Sequence, residues 1–200
     1  MRLTMVQKLL WGAAGLATLG YIGWIVPLGR GDPVESAAEE SLFRPEFALA
    51  DATGKAVSSA DFSGKFLLVF FGFTNCPDVC PTTLAEVATV LDDLGTDAAR
   101  VQPLFISVDP VRDRRLGLAT FTQAFHRSIL GLAGDEAATR AAADSFRIFY
   151  ERDTDATASD GYTMSHSPAL YLIGPEGDWL RQFGYGTPAA DILADLRSRL

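Results

Sequence analysis

Two hundred residues, 48% of them apolar, suffice for one well-packed domain and an appendage. The formal charge of −8 argues against a nucleic-acid partner, whose phosphates call for clustered Lys and Arg. Two cysteines in so long a chain do not make a stabilising disulfide framework, which is dense and belongs to small secreted domains.

Residues 9–29 carry no charge, and Leu9, Leu10, Trp11, Leu16, Leu19, Tyr21, Ile22, Trp24, Ile25, Val26 and Leu28 supply an apolar mass. At about 1.5 Å of rise per residue, a helix of this length crosses a hydrocarbon core of roughly 30 Å. Residues 1–8 hold Arg2 and Lys8 and no acid, which predicts a cytoplasmic amino end. The expectation is a single-pass transmembrane anchor at 9–29 in the cytoplasmic (inner) membrane, with Trp11 and Trp24 at its two interfaces and the C-terminal domain in the periplasm. A cleaved signal peptide is the rival, but the apolar core is long for one and no small-x-small site follows directly. No cysteine stands near residue 30 to take a lipid. Residues 30–44 are polar, acidic and aperiodic, as suits a tether, and the folded domain is expected over 45–200. All 25 acidic residues follow residue 30, whereas Arg2, Lys8 and Arg30 are among the 17 basic ones, so that domain is acidic.

Within the domain, Phe47 and Leu49, the turn Asp51-Ala52-Thr53-Gly54 and then Val57 predict a hairpin. The run 66–71 is too apolar and too short for anything but a buried strand. A helix follows over 82–94, with Leu84, Val87, Leu91 and Leu94 on one face and Gly95 ending it. Residues 102–108 form a second buried strand, and 116–125 and 135–149 have helical periodicity in their first parts. A third strand at 169–173 turns through Gly174-Pro175-Glu176-Gly177 into 179–185, and a helix over 188–200 closes the chain. Strands alternating with helices predict an α/β fold with a largely parallel sheet covered on both faces.

The only cysteines, Cys76 and Cys80, lie in Gly72-Phe73-Thr74-Asn75-Cys76-Pro77-Asp78-Val79-Cys80-Pro81-Thr82, at a strand-to-helix turn. Free backbone N–H groups and the positive end of the helix dipole there favour thiolate over thiol. Two chemistries compete for such a pair: dithiol/disulfide exchange and soft-metal binding.

With its elements in this order, the chain resembles the Sco/SenC copper-chaperone family of thioredoxin-like proteins. The resemblance rests on Phe62-Ser63-Gly64-Lys65, the strand and cysteine motif, Ser107-Val108-Asp109-Pro110-Val111-Arg112-Asp113, and His166-Ser167 ahead of Tyr171-Leu172-Ile173-Gly174-Pro175. It implies a thioredoxin-like fold behind a single-pass anchor, with copper held by Cys76, Cys80 and the distant His166. It also implies a role in supplying the binuclear copper site of cytochrome c oxidase. The partners would be the oxidase subunit bearing that site and other periplasmic copper chaperones or thiol reductases. Two thiolates and an imidazole form a soft, low-coordinate set suited to Cu(I), and Cu(II) could oxidise the pair on arrival, whereas structural zinc wants a fourth protein ligand. Cysteines four apart on regular helix lie near the upper Cα separation for a disulfide, so a Cys76–Cys80 bridge requires a distorted turn, and its formation would release the metal.

Other residues are read beside these. His126 has no such placement and reads as a solvated helix-end residue, and Met164 as a core methionine rather than a thioether ligand. Asp78 is a hard, poorly matched metal contact and reads rather as a solvated turn residue. Asp109, Arg112 and Asp113 form either a local salt-bridged turn or a surface that docks a partner or supports the site. Family members usually carry an acidic residue directly before the ligand histidine, where this chain has Ser165. Pro168 is similar in position to the cis-proline of redox-active thioredoxins, so a cis Ser167–Pro168 bond is expected. The sequence thus points to a metallochaperone. The alternative is a thiol-disulfide oxidoreductase that reduces the cysteines of its partner's empty copper site, with Cys76 attacking and Cys80 resolving. A peroxiredoxin-type peroxidase is disfavoured, because the Pro-x-x-x-Thr/Ser-x-x-Cys pattern is not met at Cys76.

Overall fold

A sheet strand buried on both faces should be apolar at every position rather than at alternate ones, and Phe66–Gly72 is such a segment, with all seven residues buried. The computed structural model describes residues 43–158 and 160–200, together with Met5, and places this strand, β3, at the centre of a five-stranded sheet. Ahead of it, β1 (Ala48–Ala50) and β2 (Ala56–Ser58) pair antiparallel as the expected hairpin. The Asp51 side chain accepts from the Thr53 and Lys55 backbone N–H groups at 2.8 and 3.1 Å and so closes the turn. After β3 come helix α1 (Val79–Leu94), strand β4 (Val101–Ser107), and the short helices α2 (Pro110–Leu116) and α3 (Leu118–Gln123). Strand β5 (Leu130–Leu132) and helix α4 (Glu136–Ser145) follow. The chain ends with β6 (Tyr150–Thr154), β7 (Tyr162–His166), β8 (Leu170–Ile173), β9 (Trp179–Phe183) and α5 (Ala189–Arg197).

The order across the main sheet is β5-β4-β3-β8-β9. Strands β3, β4 and β5 are parallel, but β8 runs antiparallel to β3 and β9 antiparallel to β8. The expectation of a largely parallel sheet is therefore corrected to a mixed one. The turn 174–178 is too short for a crossover, so β9 has to return alongside β8 in the opposite direction. On one face of the sheet Phe71 meets Phe146 edge-on at 5.2 Å. On the other, Phe70 meets Phe105 at 6.1 Å, and Phe105 meets Phe121 at 5.7 Å.

Local expectations also shift. Helix α1 begins at Val79, three residues before the expected start, so Cys80 lies inside it. The helix expected over 116–125 is split at Gly117, whose left-handed backbone (φ 84°) ends α2 and opens α3. Helix α4 stops at Ser145, and a separate two-stranded sheet, β6–β7, occupies a stretch in which no strand was expected. Among the described residues no helix is long and apolar enough to cross a membrane, and the expected anchor at 9–29 lies outside the described residues.

Candidate metal centre

The turn between β3 and α1 is held from outside itself. Thr74 donates to Asp113 Oδ1 twice, through its backbone N–H at 3.0 Å and its hydroxyl at 2.8 Å, while the Ser107 hydroxyl donates to Asp113 Oδ2 at 2.6 Å. Cys76 sits in this turn, half-buried, and Cys80 lies in the first turn of α1, fully buried. Both are free thiols. The Cys80 sulfur packs directly on Gly72, where a Cβ would lie 2.7 Å from Sγ. Only glycine lets the end of β3 pass that close.

His166 arrives from the other sheet. It ends β7 rather than lying in a loop, opposite Tyr150 in the β6–β7 register. Its ring is gripped edge-on by Phe70 at 5.8 Å and by Phe73 at 5.9 Å. Nδ1 lies 3.1 Å from the Ser167 carbonyl oxygen, which can only accept, so that nitrogen is the donor and the ring is held with Nε2 toward the sulfurs. Nε2 is 3.6 Å from Cys80 Sγ, and the ligand atoms of Cys76, Cys80 and His166 all lie within 4.8 Å of one another. The three residues named from the sequence are thus brought together.

The two sulfurs are electrostatically unlike. The Cys80 thiol, the His166 ring and the backbone N–H groups of Asp78 and Cys80 all favour a thiolate at Cys76, the Cys80 thiol most strongly, and its pKa is pulled down to about 4 against the opposing effect of burial. The Cys80 N–H···Sγ contact measures 3.3 Å. Cys80 is pushed well above the ordinary thiol range, first because its proton is held by the Cys76 sulfur and second by its burial. Two sulfurs, one of them favoured as thiolate, and an imidazole nitrogen are a soft donor set of three, which fits Cu(I) without any residue moving in from elsewhere once Cys80 gives up its proton. The site opens to solvent in a groove walled by Pro77, Val79, Thr163 and Pro168.

The remaining candidates fall into place around this group. Asp78 accepts from the Tyr185 hydroxyl at 3.2 Å and stands apart from the three ligands. His126 faces Asp92 at 3.6 Å and bonds Ser128, away from the sulfurs. Met164 is buried in the core. Ser165, on the strand face opposite His166, donates its hydroxyl to Asp153 on the neighbouring strand. The cis Ser167–Pro168 bond is corrected: among the described residues no peptide bond is cis. Pro168 leads into β8 from an exposed position where its missing N–H costs no ladder bond. Both readings of the Asp109 stretch find support: Arg112 Nε lies 2.6 Å from Asp109 Oδ2 as a local salt bridge, and Asp113 holds the site by fixing Thr74. Sequence reasoning missed Gly72, Phe70, Phe73, Thr74 and Tyr162 as parts of the site. Gly72, Phe73 and Thr74 lie within the cysteine motif itself, and Phe70 and Tyr162 carry no local signal.

The SCO1/SenC family pattern matches residues 35–200. The mitochondrial "Protein SCO2 homolog" of Mus musculus is 34% identical over 168 residues, covering 83% of this chain and 66% of that protein, a little under two thirds of its length. The structure of Bradyrhizobium japonicum ScoI with copper bound aligns with a TM-score of 0.71 at 37% identity, over 79% of this chain and 99% of that one. BsSco, in which a disulfide switch was identified and which is described as a member of the Sco family of cytochrome c oxidase assembly proteins, aligns with a TM-score of 0.60 at 25% identity, over 78% and 92% of the two chains. The thioredoxin-like Sco fold, a mixed sheet with helices, is therefore shared.

Proposed function

The chain belongs to the SCO1/SenC family, and from that premise we propose that it is a copper-binding chaperone that supplies or prepares the binuclear copper site of cytochrome c oxidase. Cys76 and Cys80 hold the metal as thiolates and His166 as the third ligand. One observation carries this: the two sulfurs and Nε2 already lie within 4.8 Å of one another. Copper is the cargo. When bound it offers redox chemistry to the sulfur pair. The protein's own part is to keep Cys76 deprotonated, to give up the Cys80 proton as metal enters, and to hold Nε2 toward Cys80 by anchoring Nδ1 on the Ser167 carbonyl. The uncharged run 9–29, flanked by Arg2 and Lys8, supports an anchor in the cytoplasmic membrane with the domain on the periplasmic side. The copper-bound relative and the oxidase-assembly role of BsSco support the cargo and the receiving partner.

The asymmetry of the cysteines favours a second role at the same site. A low-pKa, partly exposed Cys76 in front of a buried, protonated Cys80 is the arrangement of an attacking and a resolving thiol, as a reductase of the partner's cysteines requires. Copper titration of the reduced protein separates the two. The chaperone reading expects His166→Ala to weaken Cu(I) binding about 10-fold or more. If His166→Ala binds copper as tightly as the parent while Cys76→Ser abolishes reduction of a disulfide substrate, the reductase reading stands instead.

A further inference from the structure

Behind the sulfurs and the imidazole lies a guanidinium that ligand chemistry does not explain. Arg112 is 1% exposed, and burying an ion costs several kcal/mol before any pairing offsets it. A local salt bridge needs no such burial. Here Nε lies 2.6 Å from Asp109 Oδ2 as an ion pair, Nη1 donates to the Tyr162 carbonyl at 3.2 Å and lies 4.0 Å from Asp160 Oδ2, and neither Nε nor Nη2 has an aligned hydrogen-bond partner among the described residues. The pairing is incomplete, so the group is held by its faces as well as its edges. Cζ sits 4.3 Å from the Tyr162 ring centroid and 5.5 Å from that of Phe73.

Both rings lead to His166. Phe73 meets the imidazole edge-on at 5.9 Å with an interplanar angle of 89°. Tyr162 opens β7, the strand His166 ends, and its hydroxyl donates to both Asp109 carboxylate oxygens at 3.1 Å. We propose that Arg112 is a positioning residue for the metal site: wedged between Tyr162 and Phe73, it fixes the strand and the aromatic wall that together aim His166 Nε2 at Cys80. The role needs a plane. Lysine would satisfy the Asp109 charge but could not stack on two rings while donating to the β7 backbone. The inference deepens the copper-binding reading, and one arm of its test is independent of it.

The chain has two histidines, so selective isotope labelling of histidine in the full-length reduced protein gives His166 its own ring signals, with His126 as an internal reference. In the metal-free protein, Arg112→Met and Arg112→Lys are each expected to shift or broaden the His166 ring signals and leave those of His126 unchanged. Cu(I) competition is expected to show affinity about 10-fold or more weaker for both variants. In a His166→Ala background the same substitutions should change affinity less than about twofold, because an effect exerted through the imidazole vanishes with it. Unchanged His166 signals, or a loss of affinity equally large without His166, would make Arg112 a fold-holding residue only and overturn the proposal. If Arg112→Met does not fold, Tyr162→Phe, which removes only the hydroxyl, and Arg112→Lys are judged by the same two readouts. Should the parent protein bind no Cu(I), the functional reading falls and the ring signals alone decide whether Arg112 positions the histidine.

Discussion

Adding one carbon at Gly72 would place it 2.7 Å from Cys80 Sγ, 2.9 Å from Phe105 and 3.0 Å from Phe70, with rigid rings on two sides. Overpacking of this kind costs about 1–3 kcal/mol. Gly72→Ala is expected to lower the urea midpoint accordingly and, by displacing the sulfur, to weaken Cu(I) binding as well. A neutral result in both measurements would show that α1 shifts freely away from β3. Cys76 offers a second test at this scale. Its thiol titrates at about 4 in the fold against a reference of 9.0, so the folded chain binds fewer protons between those values. Its contribution to stability is complete above about pH 9 and is lost as pH falls through about 4. In the reduced protein, stability should therefore rise with pH across that window, and Cys76→Ser should flatten the slope. Iodoacetamide is expected to label Cys76 selectively at pH 6, where ordinary thiols and Cys80 are protonated, and peptide mass spectrometry reads the site. The cysteine pair was legible because a motif and a helix start are local signals. The sequence separation of 86 between Cys80 and His166 says nothing about their distance, and only the resemblance pointed to that histidine. Arg112, Phe73 and Tyr162 meet through contacts that no spacing encodes.

Elements were legible in proportion to how uniform their surroundings are. Strand β3 is buried along its whole length and α1 presents a regular apolar stripe, so each shows its period in the sequence. Strands β6 and β7 were not found, because among Tyr150-Glu151-Arg152-Asp153-Thr154 only Tyr150 is buried, and in β7 only Met164. With one buried position each they lack the sustained apolar alternation that marks a strand. Strand β5, Leu-Gly-Leu, is too short to carry a pattern. The direction of β8 depends on which edge of the sheet the β6–β7 excursion returns to, and no side chain announces that. Helix α4 begins as its sequence suggests, with Asp135 Oδ1 accepting from the Ala138 N–H at 2.8 Å. Asp135→Ala is expected to cost about 1 kcal/mol in urea denaturation. Because the cap lies on an element that supplies no ligand, copper affinity should stay within about twofold, and a larger loss would mean that α4 and the site are coupled.

At the scale of the whole molecule, the proposed anchor is tested by topology. Alkaline phosphatase fused after residue 200 is expected to be active in the parent chain, with the fusion retained in the membrane after alkaline washing. The same fusion lacking residues 1–29 is expected to be inactive. Activity without those residues, or release of the full chain by the wash, would remove the anchor from the account.

The hydrogen bond from the Trp179 N–H to the Phe43 carbonyl, 2.7 Å long, fixes where the leading segment joins the sheet. Trp179 pairs with Ile173, and Ile173 with Leu67, at the start of β3, whereas the cysteine turn leaves from its end at Gly72. At about 3.3 Å per residue the two places lie on the order of 20 Å apart along the strand. Phe43 is tied in near one end of β3 and the cysteine turn opens at the other. The tie at Phe43 and the cysteine turn are therefore expected to respond to substitution independently of each other.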